Sequence, residues 1–432
     1  MYHREAHMKN LRLIGAFIIH TLTLLNLQAC DHQNNLSYPS SVQVNEASSD
    51  SASNFSNIPL LVVQIEFSDQ LFHSDTLTWH NKIFGSEHST QLNYYWKTAS
   101  KNDFQILPAH ETQATIGDGV VTITLNQQHP NCVGKCYPVW KELFKEAIEL
   151  ADTYVNFNDF DANNNSQLEQ QELQVLFIVA GTERAITGTG VHAHSSRIYG
   201  IKLDNINDIL LSNKYSAIGE KHDLNQDASI GVIAHELGHS IFNRHDIYKD
   251  EHGSKFSLMG RGVWSKKEEE TQYGSQPALP NPINQTQMAF NHINQVIISN
   301  NSENNLIQEE EIIKLHINDR YHLLIENRSC SNEYVNSCIN DANGLFIWKV
   351  DNTSENSHPE IQSIEDNKTQ YPLYYPFDEY EYLDSDMSIR IYNISEADAG
   401  TNNTIETVED DDEDIQNHKI ALMFDVHIDR YQ

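Results

Sequence analysis

Cations are scarce in this chain. Against 61 aspartates and glutamates it has only 28 lysines and arginines, a formal charge of −33 over 432 residues. A surface so acidic repels phosphate backbones, which argues against nucleic acid as a partner and favours solubility. Cysteine is scarce too, at 5. No second cysteine or histidine pair accompanies Cys132 and Cys136, so a cysteine-built metal module is disfavoured against a short disulfide loop. Long apolar runs are missing as well. The longest, residues 13–27, is interrupted by His20, Thr21, Thr23 and Asn26 and is short for a bilayer span. The chain exceeds the usual single-domain size, so a catalytic domain with one appended subdomain is expected.

That apolar run follows Arg4, Lys9 and Arg12 and ends Leu27-Gln28-Ala29-Cys30, so residues 1–29 are expected to be an export signal. The ending resembles the cleavage box of bacterial lipoproteins, which makes Cys30 a candidate lipidation site. The protein is then periplasmic or anchored at the cell surface by its lipid, or else secreted, and the lipid is its one contact with a membrane. Residues 30–57 are polar, rich in Ser and Asn, and read as a flexible tether with no room for a folded inhibitory prodomain. Four cysteines remain in two close pairs, Cys132 with Cys136 and Cys330 with Cys338. In an exported chain each pair is expected to close a disulfide.

The chemistry lies between residues 229 and 248, SIGVIAHELGHSIFNRHDIY, which holds the H-E-x-x-H pattern as His235, Glu236 and His239. On a helix, positions i and i+4 share a face, so both imidazoles converge on one cation with Glu236 beside them as the general base. Ile230, Ile233, Leu237 and Ile241 supply the apolar stripe such a helix needs. A third ligand follows, either His245 or Asp246, and the sequence leaves that choice open. Ser257-Leu258-Met259-Gly260 resembles the methionine-containing turn beneath the zinc of metzincin-type peptidases. His192 and His194 are further candidates to line the cleft, and His194 is the candidate donor to a developing oxyanion.

Upstream, Asp161, Asn163, Asn165, Gln167 and Glu172 place oxygens at the spacing of an EF-hand-like calcium loop, with Ser166 where glycine usually turns. The alternative is a solvated turn. Apolar runs near 58–67, 104–107, 120–124 and 173–181 read as strands, and residues 92–100 and 140–154 as helices. Short strands dominate after about residue 310. The expected architecture is α+β: a zincin-like catalytic domain over 58–310, with a mixed sheet and a zinc-binding helix, then a smaller β-rich subdomain over 311–432.

The ordered blocks VVQIEFSD, NYYWKTAS, FDANNNSQLE before VLFIVAG, VHAHSSRI, HELGH with DIY, SLMGRGVW, LLIENR, GLFIWKVD and SIRIYNIS span roughly 58–428. Together they resemble the immune inhibitor A-like family of secreted bacterial zinc metallopeptidases. The resemblance implies a zinc endopeptidase acting on proteins, commonly with structural calcium, and a monomer is expected. There are two departures in the motif: Phe242 stands at the family's glycine position and His245 at its aspartate position. Aligning DIY instead inserts one residue and makes Asp246 the ligand. A catalytically inactive, peptidase-fold binding lipoprotein is the alternative function.

Overall fold

The structure is a computed structural model. It describes residues 56–430 with breaks, the longest at 329–343, 352–359, 364–372 and 397–421. The expected export signal, Cys30, nearly all of the tether, Cys330 and Cys338 lie outside the described residues. Among the described residues no helix is long and apolar enough to cross a membrane.

The N-terminal part is built on a sheet of six strands: β1 (Asn57–Phe67), β2 (Gln105–Pro108), β3 (Val120–Leu125), β5 (Gln174–Thr182), β6 (His194–Arg197) and β9 (Lys214–Lys221). Strands β1, β5 and β9 run parallel in the centre, β2 and β3 both pair with the outer edge of β1, and β6 closes the opposite edge antiparallel to β9. Two-residue alternation divides the side chains. Leu60 and Val62 of β1 face one core with Leu176, Ile178 and Ile218, while Leu61, Val63 and Ile65 face a second core with Val175, Phe177 and Val179. Helices α1 (Thr76–Phe84), α2 (Leu92–Ala99) and α5 (Ile230–Phe242) cover the first face, and α3 (Tyr137–Ala151) covers the second. Each large aliphatic side chain buried this way stabilises by about 1.5–3 kcal/mol. Short α4 (Arg184–Thr187) and α6 (Pro282–Gln287), with a small sheet of β4 (Gln167–Leu168), β7 (Ile201–Leu203) and β8 (Ile209–Leu211), complete this part.

Helices on both faces of this sheet, whose strands are parallel except for β6, give a mixed α/β arrangement, and the sheet is mixed as expected. Segregated strands come only afterwards. β10 (Gln295–Ile298), β12 (Ile312–His316), β13 (Tyr321–Arg328), β14 (Gly344–Asp351) and β15 (Glu360–Ser363) form one sheet in that order, with β16 (Leu373–Tyr374) also on β14. β11 (Ser302–Ile307), β19 (Leu422–Arg430), β18 (Met387–Glu396) and β17 (Tyr380–Leu383) form another. Because β10 pairs with β12, strand structure of this kind starts at Gln295, ahead of residue 310. Ile312, Leu324, Phe346, Trp348 and Val350 bury against Phe256 and Ile283, which joins this sheet to the loops that follow α5. Trp348 Nε1 donates to Glu326 Oε1 at 2.8 Å, so the indole enters that core with its polar atom satisfied.

His322 is buried on β13 directly opposite His316. Burial first, then the charges of Lys314 and His316, hold its imidazole down to about 4. An unfolded chain protonates this histidine near its ordinary value of 6.5, before the folded chain does. Stability should therefore fall as pH drops from about 6.5 toward 4, and His322→Gln should flatten that slope; melting temperatures of the two proteins over this range check it.

Candidate metal centre

Helix α5 follows the central strand β9 and packs along it. Ser229 and Asn243 bound it, with Asn243 in the left-handed conformation at φ 56°. Asparagine visits that region more readily than other residues with a side chain, and here it lets the chain turn back at once. Lys214 of β9 fixes the helix end, its Nζ donating to the His239 carbonyl at 3.1 Å and to Asn243 Oδ1. Gln170, just ahead of β5, donates its side-chain amide to the carbonyls of Ser240 and Ile241. The last carbonyls of the helix are thus capped by side chains from the sheet side.

The turn at Asn243 brings Asp246 back over the helix. Asp246 Oδ1 lies 3.2 Å from His235 Nε2 and 3.2 Å from His239 Nε2, and the two Nε2 atoms are 3.2 Å apart. These three side chains are the group among the described residues whose donor atoms lie close enough together to share an ion. A four-coordinate ion with bonds of about 2.0–2.1 Å holds its ligand atoms about 3.3–3.4 Å apart, so the triangle has the dimensions of three corners of a tetrahedron. His235 Nδ1 pairs with the Leu258 carbonyl at 2.9 Å and His239 Nδ1 with the Arg244 carbonyl at 2.5 Å. A carbonyl only accepts, so each Nδ1 carries a proton and each ring presents its Nε2 to the centre. Asp246 Oδ1 is buried with no aligned donor. A divalent cation satisfies all three atoms, and the donor set suits zinc. His245, by contrast, is exposed and not part of the triangle.

Electrostatics agree with the geometry. Burial alone would raise the Asp246 carboxyl, but the facing imidazoles hold it well below the usual carboxylate range. Burial would lower His235, yet Asp246 reverses this and lifts it to about 9. Positive charge is therefore favoured at that point. Glu236, 3% exposed, is raised mainly by burial and further by Asp246, against the opposing pull of His235, His239 and His192.

Below the helix, Met259 is fully buried against Gly238, where an added Cβ would stand 2.7 Å from its sulfur. Gly260 N–H closes a turn onto the Ser257 carbonyl at 3.0 Å, and Ile247 N–H bonds to the Met259 carbonyl at 2.9 Å, tying the Asp246 loop to this turn.

The other residues singled out in the sequence lie elsewhere. Cys132 and Cys136 are disulfide-bonded. In the loop at 161–172, Asp161 accepts the N–H groups of Asn165 and Ser166 at 3.0 and 2.9 Å, and Glu172 those of Asn163 and Glu169 at 3.2 and 3.0 Å. The Asn165 side chain accepts from Gln167 N–H at 2.8 Å. Ser166 has φ 61°, so the sharp turn usually made by glycine is made here by serine. His194 does not stand as an oxyanion donor. Its Nδ1 pairs with the His192 carbonyl at 2.7 Å and its Nε2 with Tyr215 Oη at 3.3 Å, which engages both nitrogens within the wall of β6 and β9. His192 acts electrostatically on both Glu236 and Glu183.

Lys214, bonded to the His239 carbonyl, and Glu183 and Tyr137, within electrostatic reach of Glu236, carry no sequence motif. Their one sequence signal is a charge or phenol next to an otherwise apolar element.

No family model matches the chain, and no curated protein does. Among solved structures it is similar to wild-type OgpA from Akkermansia muciniphila and to catalytically inactive OgpA from the same organism in complex with an O-glycopeptide substrate, glycodrosocin. Each match has 13% identity and a TM-score of 0.31, and covers 81% of this chain and 92% of the other. A likeness this slight transfers nothing about activity.

Gly231, in the first turn of α5, has no room for a methyl: an added Cβ would stand 2.1 Å from the Val263 carbonyl oxygen and 2.9 Å from that of Gly274. At Gly238 the obstacle is the flexible Met259 side chain instead. Gly231→Ala should therefore destabilise by about 1–3 kcal/mol and more than Gly238→Ala. Thermal melts of both variants check the order, and equal melting temperatures would contradict this docking of α5 on the loops after it.

Proposed function

We propose that the protein is a zinc-dependent endopeptidase that hydrolyses peptide bonds of protein substrates, exported and either lipid-anchored through Cys30 or secreted. The observation that carries this reading is the triangle of His235 Nε2, His239 Nε2 and Asp246 Oδ1 with edges of 3.2 Å, beside the buried carboxyl of Glu236. His235, His239 and Asp246 would hold the ion. When bound, the ion would act as a Lewis acid, acidifying water and polarising a carbonyl oxygen.

The rest of the chemistry belongs to the chain. Glu236 takes a proton from the attacking water as the water oxygen bonds to the scissile carbonyl carbon, and it delivers that proton to the amide nitrogen as the C–N bond breaks. Burial favours such a shuttle, because it moves a carboxyl upward from its ordinary range and makes it a better proton acceptor. The two Nδ1–H bonds to the carbonyls of Leu258 and Arg244 keep the imidazoles from rotating while this happens. Edge strand β6 packs against α5 alongside the site, where an extended substrate backbone would run beside it.

Metal analysis and cleavage of casein by the full chain test the proposal. About one zinc per chain is expected, with activity lost to a chelator and restored by zinc. Glu236→Gln should retain the metal and lose about 10²–10⁴-fold in rate. Asp246→Ala should lose the metal, whereas His245→Ala should keep it. A zinc-free, chelator-indifferent protein, or a fully active Glu236→Gln variant, would sink this reading and leave the inactive binding protein in its place.

We further propose that the loop of Asp161, Asn163, Asn165, Gln167 and Glu172 takes a calcium ion. Calcium should then raise the melting temperature of the wild type and not of Asp161→Ala; identical responses would remove the site.

A further inference from the structure

Three cations gather at the C-terminal end of α5, in a chain whose acids outnumber its lysines and arginines by 61 to 28. Lys214 reaches that end from β9, its Nζ donating to the His239 carbonyl at 3.1 Å and to Asn243 Oδ1. Arg244, the residue after Asn243, donates through Nε to the Phe242 carbonyl at 2.5 Å and through Nη1 to Gln287 Oε1. Arg197 is the last residue of β6 and stands directly opposite Lys214 in the antiparallel ladder. Arg197 and Arg244 both act electrostatically on Lys214, and among the described residues no carboxylate is paired with any of the three.

The helix accounts for two of these charges. Lys214 and Arg244 each bond a carbonyl at the end of α5, where unsatisfied C=O groups and the negative end of the helix dipole favour a cation. Arg197 has no such return. It is exposed, it bonds no carbonyl among the described residues, and its register partner carries the same charge, an arrangement in which the two repel. Opposed residues on paired strands project from one face, so Arg197 lies on the face from which Lys214 reaches His239. Ser195 is the neighbour of Arg197 in sequence but one, and it shares that face. It stands opposite Ser216, whose Oγ donates to Ser240 Oγ of α5 at 2.9 Å. The side of β6 turned toward the helix of His235 and His239 therefore carries Ser195 and Arg197, and Arg197 is its exposed end.

We propose that Arg197 is a specificity-determining residue that selects peptides with an acidic side chain at one position near the cleaved bond. The assignment rests on the peptidase reading above and deepens it by naming a substrate class. An extended substrate beside β6 turns alternate side chains toward α5, where Arg197 offers a guanidinium fork that no carboxylate of the described residues occupies. The charge of the whole chain works in the other direction. At −33 the protein draws cationic chains toward itself from a distance. Arg197, with Lys214 and Arg244 behind it, opposes that field locally, so a substrate lysine at this position meets repulsion and a substrate glutamate meets a partner. Attraction at long range and choice at the cleft are thus set by different residues.

The test uses the full chain and casein-derived peptides in which Glu, Gln or Lys is placed in turn at successive positions on either side of the cleaved bond. At one position kcat/KM should rank Glu above Gln above Lys, with Glu about 3–10-fold over Gln, and the ratio should shrink as salt is raised. Arg197→Gln should abolish the preference for Glu at that position. Arg197→Glu should invert the order so that Lys leads, which a merely structural role for the arginine does not produce. The same rankings should appear in the dissociation constants of the uncleaved peptides on Glu236→Gln, with and without the change at Arg197, read by fluorescence anisotropy. Melting temperatures should not fall, since either substitution removes the repulsion with Lys214. A wild type that cleaves these peptides with no preference at any position, or an Arg197→Gln variant that keeps the wild-type ratio, overturns this assignment and leaves the peptidase reading standing. A wild type that cleaves none of them takes down the peptidase reading, and this assignment with it.

Discussion

A buried carboxylate oxygen 3.2 Å from two imidazole nitrogens, with no aligned donor of its own, is a charge that the fold must hold against the cost of desolvation. Asp246 keeps this position because the chain reverses at Asn243 and because Ile247, its neighbour, is bonded to the Met259 carbonyl. Met259 is in turn seated against Gly238, between the two histidines in sequence. Asp246, turn and helix therefore lock one another, and the helix is capped from the sheet by Lys214 and Gln170. Displacing any one of them opens the triangle.

Much of this frame was legible in the sequence. The apolar runs that become β1, β3 and β5 are continuous because both of their faces are covered, and residues 92–99 carry the aromatic spacing of the helix they form. Strand β9 was not legible. KYSAIGEK alternates weakly and is rich in polar residues, but Ser216 and Glu220 are fully buried and satisfied by tertiary partners, Ser240 and the N–H groups of His73 and Gly181. Tertiary hydrogen bonds replaced the apolar pattern that a sequence reading depends on.

The side chain that completes the triangle shows a related limit. Counting from His239, the motif points to His245, which is exposed. Counting from the left-handed residue gives a different answer: Asn243 makes the turn one position after Phe242, and Asp246 follows it by three residues, as His245 would have followed a turn at Phe242. The additional residue is absorbed by the last turn of α5 and not by the ligand loop. Backbone conformation at the cap sets the register, and asparagine there was the available but ambiguous signal.

Glu183 shows how the wall facing this helix is bound into the same unit. It is almost fully buried, and its two oxygens accept the N–H groups of Ala193 at 2.7 Å and Gly219 at 2.8 Å. One side chain therefore joins the approach to β6 to the centre of β9, and a Cβ at Gly219 would collide with the Glu183 backbone, 2.7 Å from its nitrogen. Burial raises this carboxyl; His192 opposes the shift and Glu236 adds to it. Since His192 also opposes the rise of Glu236, one imidazole serves two buried acids. The loop that bears Glu183 and the helix that bears Glu236 are thereby linked through charge, while β6 and α5 are linked through packing.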